Sequence, residues 1–329
     1  MLPGAAAVDV SIPPALARVL AAAGLPASGQ FVATSGWVSR AWVGEDVVVR
    51  LSSGQTGGAY EHEARVVELL AGSDVPHAQH VAHGEGPDGA WSVSERLPGT
   101  TLHQAWPSAS PGQRRTMIES LGTAMRALHR VPVPAGLMPP WLVEALAGGS
   151  WPAYHPPVVG AAGQLVAEAL AAGGDARLLA DVDDWVRSRS TSFGGDDLVL
   201  VHGDLHGSNI MVDRGVVTGL IDFAEAVSQP ADVELDTILR WCARAGEFPP
   251  MPSSHGLEVS SLAPVPGWLR GAYPELFAHP RLRERLQFHD MWVELAIAAH
   301  HPDPAVRDVA WARVGRLLDG HDHLEGLDW

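Results

Sequence analysis

The chain has 329 residues, enough to bury a large core in one or two domains. Its apolar fraction of 46% is that of an ordinary folded protein and excludes wholesale disorder. The formal charge of −16, from 22 basic and 38 acidic side chains, argues against a nucleic-acid partner, whose phosphates need clustered cations, and suits a cationic or neutral small molecule better.

The N-terminal stretch "MLPGAAAVDVSIPPALARVLAAAG" is apolar but has no basic leader, and Asp9 and the Pro13-Pro14 pair interrupt it. A secretory signal is not expected, and with no uninterrupted apolar run of about 18 residues neither is a membrane span. Residues 13–24 predict a short helix that starts at the proline pair and stops at Gly24. "FVATSGWVSRAWVGEDVVVRL", 31–51, alternates β-rich runs with Gly- and Ser-bearing turns and predicts three strands. "EHEARVVELLAG", 61–72, has the spacing of an amphipathic helix closed by Gly72. Two short strands then flank the turn Pro87-Asp88-Gly89, a hairpin signal.

Beyond Gly99 the pattern is mainly helical, as in "RRTMIESLGTAMRALHRV" (114–131) and a pair of helices within 161–189. Proline-rich stretches at 131–160 and 246–267 read as loops. Residues 198–222 return to strand, loop, strand, turn, strand before the helices resume. The lone Cys242 excludes an internal disulfide and fits a reducing cytoplasm. The expected fold is α+β with two lobes: residues 1–98 form a small β-rich N-terminal lobe and residues 99–329 a larger, mainly helical C-terminal lobe.

The densest chemistry lies in "VHGDLHGSNIMV", 201–212. Asp204 stands on a loop after an apolar strand, and Asn209 follows five residues later. A hairpin turning at 213–215 runs back to Asp222, so its open end brings Asn209 and Asp222 together. An amide oxygen beside a carboxylate is the hard-oxygen pairing that Mg²⁺ favours. Asp204 nearby has a free carboxylate to accept a proton from an attacking hydroxyl. This is a layout for phosphoryl transfer.

The spacing H-x-D-x-x-x-x-N followed by "IDF" also matches the catalytic-loop and metal-loop motifs of kinases. "VHGDLHGSNIMV…GLIDFAEA" resembles the aminoglycoside phosphotransferase and choline-kinase-like branch of the protein-kinase fold. The resemblance implies a two-lobed kinase-like fold, Asp204 as catalytic base, Asn209 and Asp222 as Mg²⁺ ligands, and His202 as an anchor of the loop. It leaves His206 without a role. "GDLHG" also resembles the first motif of dinuclear metallophosphoesterases, but no second motif of that class follows residue 210. Zinc held by His202, Asp204 and His206 is a further alternative; it leaves Asn209 and Asp222 unexplained.

The phosphates of ATP, or of GTP, then fall to the N-terminal lobe. "TSGWVSRAW" offers Ser35, Gly36 and Ser39 as backbone and hydroxyl donors. The strand "DVVVRL" ends in Arg50 where the kinase pattern has lysine. The chain contains no lysine, so arginine does this work as a planar fork rather than a point charge. By the resemblance, its partner is Glu63, with Glu61 as the neighbouring alternative, and backbone groups near Glu95 and Leu97 form the hinge that meets the nucleotide base.

The resemblance implies an acceptor that is a small-molecule hydroxyl compound. Acidic candidates for its site are Glu225, Asp232, Glu234, Asp236, Asp290 and Glu294, which suit a polyamine sugar. The aromatics Trp141, Trp151, Tyr154, Trp241, Trp268 and Trp292 suit a macrolide-like pocket or simple core packing. The expected activity is a small-molecule kinase of the antibiotic-resistance type, aminoglycoside ahead of macrolide, with a metabolic sugar or amino alcohol behind. Arg50 and "DFA" in place of D-F-G keep a nucleotide-binding pseudoenzyme as the alternative of another class.

Overall fold

The computed structural model describes residues 12–35, 39–52, 57–134, 136–140, 158–193, 197–245, 257–301 and 303–328. Strands β1 (Val32–Ser35), β2 (Arg40–Val43), β3 (Val47–Ser52), β4 (His80–Gly86) and β5 (Gly89–Glu95) form an antiparallel sheet in the order β1-β2-β3-β5-β4. Alternation gives this sheet two different faces. On one face Trp42, Val49, Leu51, Trp91 and Val93 pack with Leu16, Val19 and Leu20 of helix α1 (Pro14–Ala22). The other face carries the row Arg50, Ser92 and His83, which are register partners across three strands.

Helix α2 (Gly57–Leu70) is longer than its predicted stretch. It buries Tyr60, Glu63, Ala64, Val67 and Leu70 at helical spacing and ends where Gly72 turns to φ +76°. The chain then crosses into the second lobe on a two-residue strand, β6 (Thr100–Thr101), just after Gly99. At Gly99 a Cβ would stand 2.0 Å from the Val212 carbonyl oxygen, so no other residue fits the crossing.

The second lobe begins with α3 (Leu102–Ala105) and α4 (Pro111–Leu128), each opened by a capping box. Helices α5 (Val158–Ala171) and α6 (Ala176–Ser188) follow. Next come β7 (Val199–Val201), β8 (Ile210–Asp213), β9 (Val216–Leu220) and β10 (Val227–Gln229), paired as β6-β8-β9 and β10-β7. The lobe closes with α7 (Ala231–Ala243), α8 (Val265–Ala272), α9 (Leu282–His300) and α10 (Pro304–Leu318). One core joins α4, α7 and α8 to the β8–β9 hairpin; a second joins α5, α6, α9 and α10.

The fold is therefore α+β and two-lobed, as expected. The loop predicted at 246–267 is shortened at its C-terminal end, because residues 259–262 form a 3₁₀ turn and α8 starts at Val265. Strands β6 and β10, of two and three residues, are too short to show a period in sequence. Among the described residues no helix is long and apolar enough to cross a membrane.

Candidate active site

The site is built on the loop between β7 and β8, and the backbone of His202 anchors that loop. The His202 N–H donates to a carboxyl oxygen of Glu234 on α7, which is fully buried. Burial pushes the Glu234 carboxyl up to about 8, helped by the charge of Asp204 and opposed by the His202 N–H. His129, which caps the C-terminal end of α4, stands 4.0 Å from Glu234 and shares a 3.1 Å hydrogen bond with the Tyr273 hydroxyl; burial lowers its pKa to about 4. The His202 ring donates through Nε2 to the Ile221 carbonyl at 2.9 Å and accepts the Asp204 N–H through Nδ1 at 3.3 Å. Gly203 between them has φ +82°, and a Cβ there would lie 2.2 Å from the Glu225 carbonyl oxygen. Only glycine satisfies both conditions.

Asn209 and Asp222 flank the open end of the β8–β9 hairpin, and Asn209 contacts Asp204. Ile210 pairs with Leu220, and the Ile221 N–H donates to the Asn209 carbonyl at 3.0 Å. The Asn209 amide donates through Nδ2 to the Asp204 carbonyl at 2.8 Å and to its carboxylate at 3.1 Å. Both partners are acceptors, so the amide nitrogen must face them and Oδ1 turns the other way. Burial works to raise the Asp204 carboxyl, but the neighbouring His206 and the Asn209 amide outweigh it and hold it below the usual carboxylate range. A half-exposed side chain that stays ionised is able to accept a proton. Asp222 has φ 68° and ψ 63°, the left-handed region, which costs a residue with a side chain about 1–2 kcal/mol.

Arg50 ties the two lobes together. It pairs with Glu63 of α2, with Asp222 at 2.7 Å, and donates to the Ser92 hydroxyl at 3.2 Å. Burial disfavours its charge, and the Glu63 and Asp222 carboxylates overcome that, so its pKa is raised. For Glu63 burial dominates and pushes the carboxyl up, with Arg50 pulling it back only in part. Tyr60 lies under the guanidinium, 5.1 Å from ring centroid to charge, and shares a hydrogen bond with the Ser39 side chain. This bond brings Ser39 to the Arg50 cluster. Ser35 pairs with Arg40 at the end of β1 through its backbone, and Gly36 lies outside the described residues.

At the lobe junction the Glu95 N–H donates to the Gln79 carbonyl at 2.9 Å. The Leu97 side chain rests on Gly219, where a Cβ would approach it to 2.2 Å. Thr218 binds the neighbouring Pro98 carbonyl at 2.9 Å, which fixes the strand-to-helix crossing against β9.

The donors at Asn209 and Asp222 fit a hard divalent cation: an amide oxygen turned away from Asp204, and a half-exposed carboxylate with one oxygen on Arg50. The zinc alternative does not fit, because both ring nitrogens of His202 are committed to backbone groups. His206 stands 3.6 Å from the Asp204 carboxylate, and among the described residues no group of three His, Cys, Asp or Glu side chains is arranged to hold a metal.

Comparison with known proteins gives this geometry a family. The model of the phosphotransferase enzyme family matches residues 32–272. The chain belongs to that family. This phosphotransferase is 30% identical over 249 residues to the aminoglycoside 3′-phosphotransferase of Streptomyces fradiae, covering 70% of the present chain and 76% of the relative. A thermostable mutant of aminoglycoside phosphotransferase APH(4)-Ia superposes with a TM-score of 0.60 at 18% identity, over 92% of this chain and 97% of that one. ADP-bound aminoglycoside phosphotransferase APH(2″)-Ib gives 0.60 at 14%, over 92% and 95%. These two likenesses establish the kinase-like fold. The protein is a small-molecule kinase that transfers phosphate to a hydroxyl.

The acidic side chains expected to line an acceptor cleft are mostly internal to the phosphotransferase. Asp232 is paired with Arg285 and His289, Asp236 with Arg240 and His323, and Asp290 and Glu294 with Arg244. Glu234 holds the β7–β8 loop, and of these six candidates only Glu225 is part-exposed. Trp241 and Trp292 are core residues of the two hydrophobic clusters; Trp141, Trp151 and Tyr154 lie outside the described residues. Tyr60, Ser92 and the structural role of Glu234 carry no sequence motif. Cross-strand register with Arg50 is the one signal able to mark Ser92.

Proposed function

We propose that this phosphotransferase moves the γ-phosphoryl group of ATP to a hydroxyl of an aminoglycoside, with Asp204 as the general base. The observation that carries the reading is a pair of linked clusters, Asn209 on Asp204 and Arg50 on both Asp222 and Glu63, joined where the Ile221 N–H bonds the Asn209 carbonyl. The acceptor O–H loses its proton to Asp204 as its oxygen bonds to the γ-phosphorus; the bond to the bridging oxygen breaks, and ADP leaves. Asn209 and Asp222 would hold Mg²⁺, which supplies charge neutralisation to the phosphates when bound. Arg50, kept charged and oriented by Glu63, contacts phosphate oxygens. Ser35, Gly36 and Ser39 cover the phosphates, and backbone groups of Glu95 and Leu97 meet the base edge. On this reading residues 1–98 serve the nucleotide and 99–329 the chemistry and the acceptor.

The aminoglycoside assignment is supported by the Streptomyces fradiae relative and by the net charge of −16, whose field draws a polycation. It does not lean on an acidic cleft, since most candidate carboxylates are paired inside the lobe. The test is a turnover panel of aminoglycosides, macrolides and simple amino alcohols with ATP and GTP, with products located by mass spectrometry. An aminoglycoside carrying one added phosphoryl group, formed with ATP, supports the reading. Phosphorylation confined to a macrolide or an amino alcohol replaces it.

A further inference from the structure

Asp222 holds a strained left-handed backbone, and such a conformation persists only where its surroundings over-determine it. Upstream, Ile221 is gripped on both sides of its Cα: the N–H by the Asn209 carbonyl at 3.0 Å, and the carbonyl by the His202 ring at 2.9 Å. Downstream, the 3₁₀ turn Phe223–Glu225 is tied to α2 at two points. The Phe223 N–H donates to Glu63 at a long 3.3 Å, and the carbonyl of Ala226 accepts from Nε2 of His62 at 2.7 Å. A carbonyl only accepts, so this ring nitrogen carries the proton.

His62 is 2% exposed and next in sequence to Glu63, yet it touches none of Asp204, Asn209 or Arg50 among the hydrogen bonds described. Burial, and to a lesser degree Arg65, favour the neutral ring over the bond to Ala226, so the contact is a neutral hydrogen bond rather than an ion pair. It is also the shorter of the two downstream ties. Glu63 divides its oxygens between Arg50 and Phe223, whereas His62 directs Nε2 to the turn alone. We propose that His62 is a positioning residue for phosphoryl transfer: its bond to Ala226 locks α2 to the 222–226 turn and keeps the Asp222 carboxylate in register with Arg50 and Asn209.

The kinetic part rests on the proposed phosphotransfer; the structural part does not, and the experiment separates them. Amide hydrogen exchange over residues 221–227 is measured on nucleotide-free wild type, His62→Leu, which keeps bulk without the donor, and His62→Gln, which keeps an N–H. Loss of one buried hydrogen bond predicts exchange about tenfold faster in His62→Leu, confined to that segment, and substantial recovery in His62→Gln. With an aminoglycoside and ATP, kcat falls about tenfold in His62→Leu while the acceptor KM is unchanged, and His62→Gln restores most of it. Should His62→Leu fail to fold, His62→Asn, too short to reach Ala226, takes its place. Unchanged exchange at 221–227 in the folded variant overturns the proposal, as do equal losses in the Leu and Gln variants, which would assign the effect to packing. Faster exchange without wild-type turnover of any acceptor retains the lock and removes the phosphotransfer reading.

Discussion

Replacing Arg50 by methionine removes the cation that holds two carboxylates from two lobes. Breaking a buried ion pair by deleting one partner costs about 3–5 kcal/mol, because the other charge is left stranded. Here the two partners differ. The Asp222 side chain is 45% exposed and regains water, whereas Glu63, 8% exposed, does not. The cost therefore sits on Glu63, whose carboxyl burial already pushes up, and protonation is its escape. A carboxyl whose folded pKa is raised contributes its full stability below the unfolded value near 4.3 and loses it as pH rises through the folded value, by up to about 1.4 kcal/mol per pH unit. Arg50→Met is thus expected to lose about 1–2 kcal/mol near pH 5 and about 3–4 near pH 8. Urea unfolding at both pH values measures this, with Arg50→Lys and the double variant Arg50→Met/Glu63→Gln alongside. The double variant recovers most of the loss at pH 8 and flattens the pH dependence. In Arg50→Met the KM for ATP rises about tenfold or more, as expected for loss of a charge-assisted phosphate contact. A loss below about 1 kcal/mol, or one equal at the two pH values, would refute the stranded-charge reasoning.

Three further perturbations act on the same frame. Gly203→Ala sets a Cβ 2.2 Å from the Glu225 carbonyl oxygen on a φ of +82°, so the variant should lose about 2–4 kcal/mol by thermal or urea unfolding and most of its turnover. Glu234→Gln keeps an acceptor for the His202 N–H and removes a carboxyl that burial holds near 8. The wild-type protein therefore loses stability between about pH 4.5 and 8 through this group, and the variant should gain on it over that window in urea unfolding. His323, pushed up to about 9 between Asp236 and Asp290, contributes stability present below its unfolded pKa near 6.5 and lost as pH rises through 9. His323→Gln should destabilise clearly at pH 6 and much less at pH 9.5; an equal effect at both contradicts the paired imidazolium.

The parts of the site that can be read from the sequence are those bound together by short covalent spacing. Asp204 and Asn209 share one loop, and the tight turn at Asp213–Gly215 returns the chain so that Asp222 must arrive beside Asn209. Arg50 and Glu63 sit 13 residues apart on a strand and the helix that follows it, and their pairing is legible through the family resemblance rather than from spacing alone. What sequence spacing does not show is pairing across long separations. Asp290 and Arg244 are 46 residues apart and Asp232 and Arg285 are 53 apart. Read singly, those carboxylates look available to a cationic ligand; in the fold, guanidinium groups from other helices neutralise them. Tyr60 and Ser92 are silent for a related reason, because each acts only through its position beside Arg50. The glycine at 203 is legible as a motif, and the physical ground for it, the Glu225 carbonyl lying where a Cβ would be, needs the fold.

The most direct test of the central claim compares wild type with Asp204→Asn on the same samples, measuring nucleotide affinity by calorimetry and aminoglycoside-dependent ADP release. Asparagine keeps the size of Asp204 and cannot accept the acceptor proton. The account predicts ATP affinity within about threefold of wild type and ADP release lowered by about 10²-fold or more. ADP release that survives the substitution would contradict Asp204 as the base and, with it, the assignment of the 202–222 loop as the catalytic centre.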